Sequence, residues 1–169
     1  MSQVASESAG AESELSQSKV RCLAMTLPSG LDMLLPNTIV AEVIDFRPLE
    51  EMDGLPAWVE GMLSWRGRSV PLVSLERLLS QESGQRDDTQ RRYVILNTLN
   101  GNRRVPFIAT AIMGIPHLVL AGESELQYDD GGDNEPVVLA RVRYLDEPVV
   151  VPNLDVLEKM LEHLGVSAA

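Results

Sequence analysis

Two histidines, one cysteine and twenty-five carboxylates are the side chains from which catalysis or metal binding would have to be built. A catalytic centre needs a nucleophile beside a base, a metal cluster, or two carboxylates in unlike environments. His163 falls on the polar face of the last predicted helix, and His117 follows Pro116 at a predicted strand start. Neither has a Cys, His, Asp or Glu neighbour at metal-ligand spacing. Gly131-Gly132 lies among acids, which would repel a phosphate. Asp129, Asp130 and Asp133 do not match the ligand positions of a helix-loop-helix calcium site, so Glu123–Glu135 reads as a solvated acidic loop. Cys22 lies in the apolar run Cys22-Leu23-Ala24-Met25 and reads as a buried, inert thiol. The expectation is a protein that is not an enzyme and carries no cofactor or metal.

One basic feature remains. Arg91, Arg92, Arg103 and Arg104 flank Asn100-Gly101, a strong hairpin-turn signal, and would meet across that hairpin. They are read first as solvated strand ends. The alternative is a free-standing SH3- or OB-like barrel that binds nucleic acid or an acidic protein through this patch. Nucleic-acid platforms interleave aromatic rings with the charges, and only Tyr93 is at hand. The net charge of −11 argues further against phosphate backbones and anionic membrane surfaces as partners.

The elements that would position these residues are mostly strands. With 44% apolar residues the chain can build one domain, or two small barrels sharing a core. Residues 1–18 are rich in Ser, Ala and Glu and read as a disordered tail, followed by a single domain over 19–169. Val20–Leu27, Leu31–Pro36 and Ile39–Phe46 alternate as half-buried strands. Val59–Trp65 and Arg68–Leu75 form a hairpin about Arg66-Gly67, running into a short helix, Leu75–Leu79. Residues 81–90 form a polar linker; Tyr93–Leu96 and Val105–Ile108 pair about Asn100-Gly101. Val138, Ala140, Val142 and Tyr144 share one strand face, and Pro148–Val151 pairs back across Leu145-Asp146-Glu147. Asn153 caps a final helix with the stripe Leu154, Leu157, Met160, Leu161 and Leu164, and Gly165 ends it. A lone cysteine, the absence of a signal-peptide pattern and the lack of an 18-residue apolar run predict a cytosolic protein with no membrane insertion.

The two halves also resemble each other. A shift of 71 places Cys22–Leu27 on Tyr93–Thr98, and a shift of 79 places Trp65 on Tyr144, Val70 on Val149 and Leu75 on Leu154. Either the chain is duplicated, giving two similar small antiparallel barrels, or apolar residues match by chance.

The run Pro56-Ala57-Trp58-Val59-Glu60-Gly61-Met62-Leu63-Ser64-Trp65-Arg66-Gly67, continuing through Val70 to Leu75, resembles the signature of the CheW-like domain. There the pattern runs Pro, aromatic, Val, any residue, Gly, two apolar residues, then Asn-Leu-Arg-Gly, with a strand ending in Asp-Leu. Leu34-Leu35-Pro36 and Val40-Ala41-Glu42-Val43-Ile44 are similar to the family's second strand and its Val-x-Glu-Ile segment. The resemblance extends from about Val20 to Leu164. It implies a mainly β fold of two SH3-like five-stranded antiparallel barrels around a shared core, with short helices including the C-terminal one.

It further implies an adaptor coupling the cytoplasmic tips of methyl-accepting chemoreceptors to the regulatory domain of a CheA-type histidine kinase, next to membrane-bound receptor arrays. The partner-binding residues it implies are Val40, Glu42, Gly61, Leu63, Trp65, Arg66 and Gly67, with Val40 and Leu63 equally readable as core. The residues agree with part of this. The Arg66 fork suits a carboxylate, with Glu42 the nearest candidate by the family pattern. Gly67 supplies positive φ at the turn, Gly61 lets a partner approach closely, and an exposed Trp65 adds anchoring area. Three departures stand out. Ser64-Trp65 replaces Asn-Leu, Ser74 replaces the Asp of Asp-Leu, and Ile108-Ala109-Thr110-Ala111-Ile112 lacks the acid of the family's apolar-Val-Asp-x-Val segment. They point to an accessory member, such as one serving type IV pilus (twitching) motility.

Overall fold

Alternation of apolar and polar residues becomes strands where one face is buried, while Tyr93–Leu96 is buried on both faces, with Tyr93 and Ile95 in one apolar cluster and Val94 and Leu96 in another. The computed structural model describes residues 19–79, 89–99, 104–122, 125–128 and 135–166. The tail 1–18, most of the linker, Arg103, the Asn100-Gly101 turn and Gly131-Gly132 lie outside the described residues. Among the described residues the strands are β1 (Val20–Thr26), β2 (Asp32–Pro36), β3 (Val40–Asp45), β4 (Val59–Trp65) and β5 (Arg68–Val73). The second half contributes β6 (Arg91–Asn97), β7 (Phe107–Ala121), β8 (Leu126–Tyr128), β9 (Val138–Tyr144) and β10 (Glu147–Pro152). The helices are α1 (Leu75–Leu78) and α2 (Leu154–His163), and a 3-10 turn, Asn37–Ile39, joins β2 to β3.

The strands close into two barrels that exchange segments. One contains β3, β4, β5, β6 and the first half of β7, and encloses Ile44, Leu63, Val70, Leu72, Tyr93 and Ile95 among others. The other contains β1, β2, β9, β10 and the second half of β7, with the short β8 at its edge, around Cys22, Leu34, Ala121, Val142 and Val149. The largest apolar cluster lies between them and takes in Met25, Met33, Leu96, Ile108 and the α2 residues Leu154, Leu157 and Leu161. The fold is mainly β, with two barrels around a shared core, as the resemblance implied.

The pairings of the two halves mirror each other. β1 lies between β2 and the second half of β7, as β6 lies between the first half of β7 and β3. Neither barrel is therefore built from one half of the sequence alone. Met113 is the crossover residue, facing Arg91 in β6 and Thr26 in β1. Gly114 follows with φ +69°. Pro116 falls within the irregular step between Ala24 and Thr26, where its missing N–H leaves no gap in the ladder. The strand start expected near His117 is thus the interior of a strand fifteen residues long.

Two further expectations need correction. Pairing is not antiparallel throughout, because Leu72 and Val73 run parallel to Ala109 and Thr110, and Val149 and Val150 run parallel to Asp32 and Met33. These contacts close the barrels: the returning arm of each hairpin meets a strand of the other half running the same way. The acidic stretch is also not wholly loop. Leu126–Tyr128 pairs with β9, and Glu135 holds Arg141 in an ion pair.

Ser74 and Asn153 cap α1 and α2 by accepting from the backbone N–H three residues on. The α2 stripe buries Leu154, Leu157 and Leu161, while Leu164 at its end is exposed. Glu76 in α1 is buried and accepts the Ser29 N–H at 2.6 Å, tying α1 to the β1–β2 turn. Burial raises its carboxyl pKa, with Glu60 adding to the rise, against the Ser29 hydrogen bonds and the charge of Arg91. A folded-state pKa above the unfolded one means that folding takes up a proton. The corresponding stability is fully present below the usual carboxylate value and is lost as pH rises through the raised one. The melting temperature of Glu76→Gln minus that of wild type should therefore become more positive from pH 4 to 8; a constant difference would show no linked titration.

Candidate functional site

The β4–β5 hairpin ends in a two-residue turn, and such turns match the strand twist when both residues have positive φ. Arg66 and Gly67 comply, with φ of +48° and +72°. For an arginine that conformation costs on the order of 1–2 kcal/mol, and the register of the hairpin imposes it. The matching hairpin of the second half does the same with Leu145 and Asp146, at +50° and +66°. The turn leaves Trp65 opposite Arg68 across the strands.

Trp65 is only 6% exposed, because its indole fills the end of the first barrel against the Leu63–Leu72 cluster. The expected exposed anchor is therefore a core residue. Its N–H still needs an acceptor at that depth, and Glu42 Oε2 takes it at 2.7 Å. The same oxygen receives Arg66 Nε at 3.0 Å, so the expected Glu42–Arg66 pair forms. The two links are unequal. Arg66 is 70% exposed and Glu42 35%, and an ion pair so open contributes up to about 1 kcal/mol. A sheltered N–H to a charged acceptor is worth roughly 1.5–3 kcal/mol, so Trp65 does most to hold Glu42.

Three further residues, not singled out from the sequence, complete the surface. The Arg66 guanidinium lies 5.2 Å from the centre of the Trp65 ring. Phe107 meets Trp65 edge-on at 4.9 Å, and the Arg68 guanidinium lies 5.6 Å from the Phe107 ring. Arg47 Nη1 donates to the Ser64 carbonyl at 3.3 Å. The Arg-Gly-Arg spacing hinted at Arg68, but Phe107 and Arg47 arrive from distant strands and loops.

The other expected contacts are placed differently. Leu63 is completely buried and belongs to the barrel interior, which selects the core reading of the two and corrects the contact one. Val40 is half-buried against the shared core. Gly61 has φ +151°, and the group that approaches it is the chain's own Glu50 carbonyl, 2.7 Å from where a Cβ would sit. Its role is to admit Glu50, which bridges Met62 through two backbone hydrogen bonds of 2.9 Å.

The described members of the arginine patch, Arg91, Arg92 and Arg104, do not come together. Arg91 and Arg92 start β6 opposite Met113 and Ile112, whereas Arg104 lies beyond the other end of that strand, roughly 20 Å of extended chain away. Arg91 is buried and bound to Glu60 at 2.7 Å, and Arg92 lies 3.4 Å from Asp45. Burial also raises the Cys22 pKa. His117 is exposed, and so is His163, whose Nδ1 lies 2.6 Å from the Lys159 carbonyl oxygen. Among the described residues no group of three or more His, Cys, Asp or Glu is placed to hold a metal ion. No described helix is long and apolar enough to cross a membrane.

The arrangement sets an exposed guanidinium, Arg66, over a buried indole, Trp65, with one Glu42 oxygen bound to both. No curated protein matches the chain in sequence. Its fold is similar to the crystal structure of the scaffolding protein TtCheW from Thermoanaerobacter tengcongensis. That match has a TM-score of 0.68 and 13% identity, and covers 82% of this chain and 87% of that one. The model of the CheW-like domain matches residues 22–163, nearly the whole described fold including β3 and the β4–β5 hairpin. The chain therefore belongs to the CheW-like domain family.

Proposed function

We propose that this chain is a non-enzymatic adaptor that couples chemoreceptors to a CheA-type histidine kinase in bacterial signal transduction. The surface proposed to meet the kinase's regulatory domain comprises Glu42, Arg66 and Gly67, with the half-buried Val40 at its edge and Trp65 beneath. One observation carries this reading: a single Glu42 oxygen holds both Trp65 and Arg66, which leaves Arg66 fixed in direction yet 70% exposed. Pre-ordering a rotamer-rich side chain lowers the entropy lost on docking. The receptor partner is the cytoplasmic tip of a methyl-accepting chemoreceptor, and the working place is the cytoplasmic side of membrane-bound receptor arrays. The departures at Ser64, Trp65, Ser74 and Thr110 favour an accessory system, and twitching motility is the proposed setting.

The test is titration of the purified chain with the regulatory domain of a CheA-type kinase from the same organism, followed by calorimetry. A saturable one-to-one complex is expected. Lack of heat and of co-elution at high protein concentration would refute the adaptor reading.

A further inference from the structure

The hairpin end carries a row of four side chains, Arg66, Trp65, Phe107 and Arg68, in which two guanidinium groups lie by the faces of two edge-to-face rings. The protein around it is strongly acidic, with a net charge of −11. Arg47, Arg66 and Arg68 are nevertheless all exposed here. Against them stand Glu42, already engaged by Trp65 and Arg66, and Glu50, which lines a shallow hollow with Arg68, Ser69 and Met62. Arg66 spends its Nε on Glu42, so its two Nη groups remain for another acceptor. Three exposed arginines gathered at one end of an acidic protein favour a negatively charged group on whatever docks there.

We propose that the group received at this hairpin end is a carboxylate on a protein partner, bound by the free guanidinium edges of Arg66 and Arg68, with Trp65 as the residue that positions them. A guanidinium against a ring is held in plane and keeps its outer edge for in-plane hydrogen bonds, the geometry that a carboxylate accepts. Trp65 acts through Glu42: its N–H fixes the carboxylate, and the carboxylate fixes Arg66. Nucleic-acid phosphates would also be attracted, but the Trp65 ring is buried and Phe107 half-buried, so neither offers an open face to a base. The inference rests on the kinase reading above, since that partner supplies the carboxylate.

The experiment titrates the wild-type chain, Arg68→Glu and Trp65→Phe with the kinase regulatory domain at 50 and 300 mM NaCl. Wild type should lose about tenfold in affinity between the two salts, because attraction between charges is screened. Arg68→Glu, an exposed change, should bind at least tenfold more weakly at 50 mM and show a flatter salt dependence. Trp65→Phe keeps a ring but deletes the N–H, and should cost about fivefold. The indole N–H proton resonance of wild type should move upfield in Glu42→Gln, a signature that packing alone would not produce. A complex that is indifferent to salt or to Arg68→Glu would overturn the inference and leave the adaptor reading intact. Tighter binding of a single-stranded oligonucleotide than of the regulatory domain would also overturn it. The absence of any wild-type complex at either salt would overturn both.

Discussion

Arg66→Glu is expected to weaken binding to the kinase regulatory domain about a hundredfold, with a melting temperature within about 4 °C of wild type. The stability half follows from exposure. The Arg66 side chain is 70% open to solvent, so losing its ion pair with Glu42 removes at most about 1 kcal/mol. In a chain of this size that moves the melting point by roughly 2–4 °C. The binding half follows from desolvation. On docking, Arg66 is covered and its carboxylate partner with it, and truncating or reversing one member of such a pair costs roughly 2–5 kcal/mol. The introduced carboxylate would also face Glu42, whose oxygen now lies 3.0 Å from Arg66 Nε. Arg66→Lys should fall between the two, because a point charge cannot reproduce the planar fork. Calorimetric titration and a thermal melt of the same samples check both halves, and wild-type affinity in a folded Arg66→Glu would remove Arg66 from the interface.

Gly61→Ala should show the opposite pattern, with stability lost and the docking surface retained. A Cβ at Gly61 would stand 2.7 Å from the Glu50 carbonyl oxygen and 3.1 Å from Leu49 Cβ, on a backbone with φ +151°. Neither clash is easily relieved. The Glu50 backbone is tied to Met62 by two hydrogen bonds of 2.9 Å, one in each direction. Backbone strain and overpacking each cost roughly 1–3 kcal/mol, so a total of about 3 kcal/mol is expected. The melting temperature should then drop by about 6–12 °C. Binding measured at 15 °C, where the variant stays folded, should remain within about threefold of wild type. A Gly61→Ala chain that melts like wild type but fails to bind would restore Gly61 as a contact residue.

Much of this was legible in the chain. The β4 boundaries, the Arg66-Gly67 turn and the Asn153 cap follow from local rules: period-two alternation, paired positive φ at a two-residue turn, and Asn before an apolar stripe, whereas the Ser74 cap was not singled out. The link between Glu42 and Arg66 was readable from the motif. Which of the neighbouring motif residues face outward was not. Trp65 was expected at the surface, Gly61 was expected to meet a partner, and Leu63 was readable either as a contact or as core. Burial of a strand face depends on what packs against it, and here that is β6 and β7 from the other half.

The arginines about the 100–101 turn show the same limit. Sequence proximity suggested one patch, but strand length carries Arg91 and Arg92 away from Arg104, and Glu60 and Asp45 take up the first two. Most strands and the Arg66-Gly67 turn could be read from residues a few positions apart, but β8 and the full length of β7 could not, because their pairing partners lie far along the chain. Long-range packing settles that β7 serves both barrels and that Trp65 stands under Arg66 rather than beside it. Both outcomes come from barrel closure. It brings Phe107 and Glu42, far apart in the chain, onto the same indole, where a buried N–H must find an acceptor.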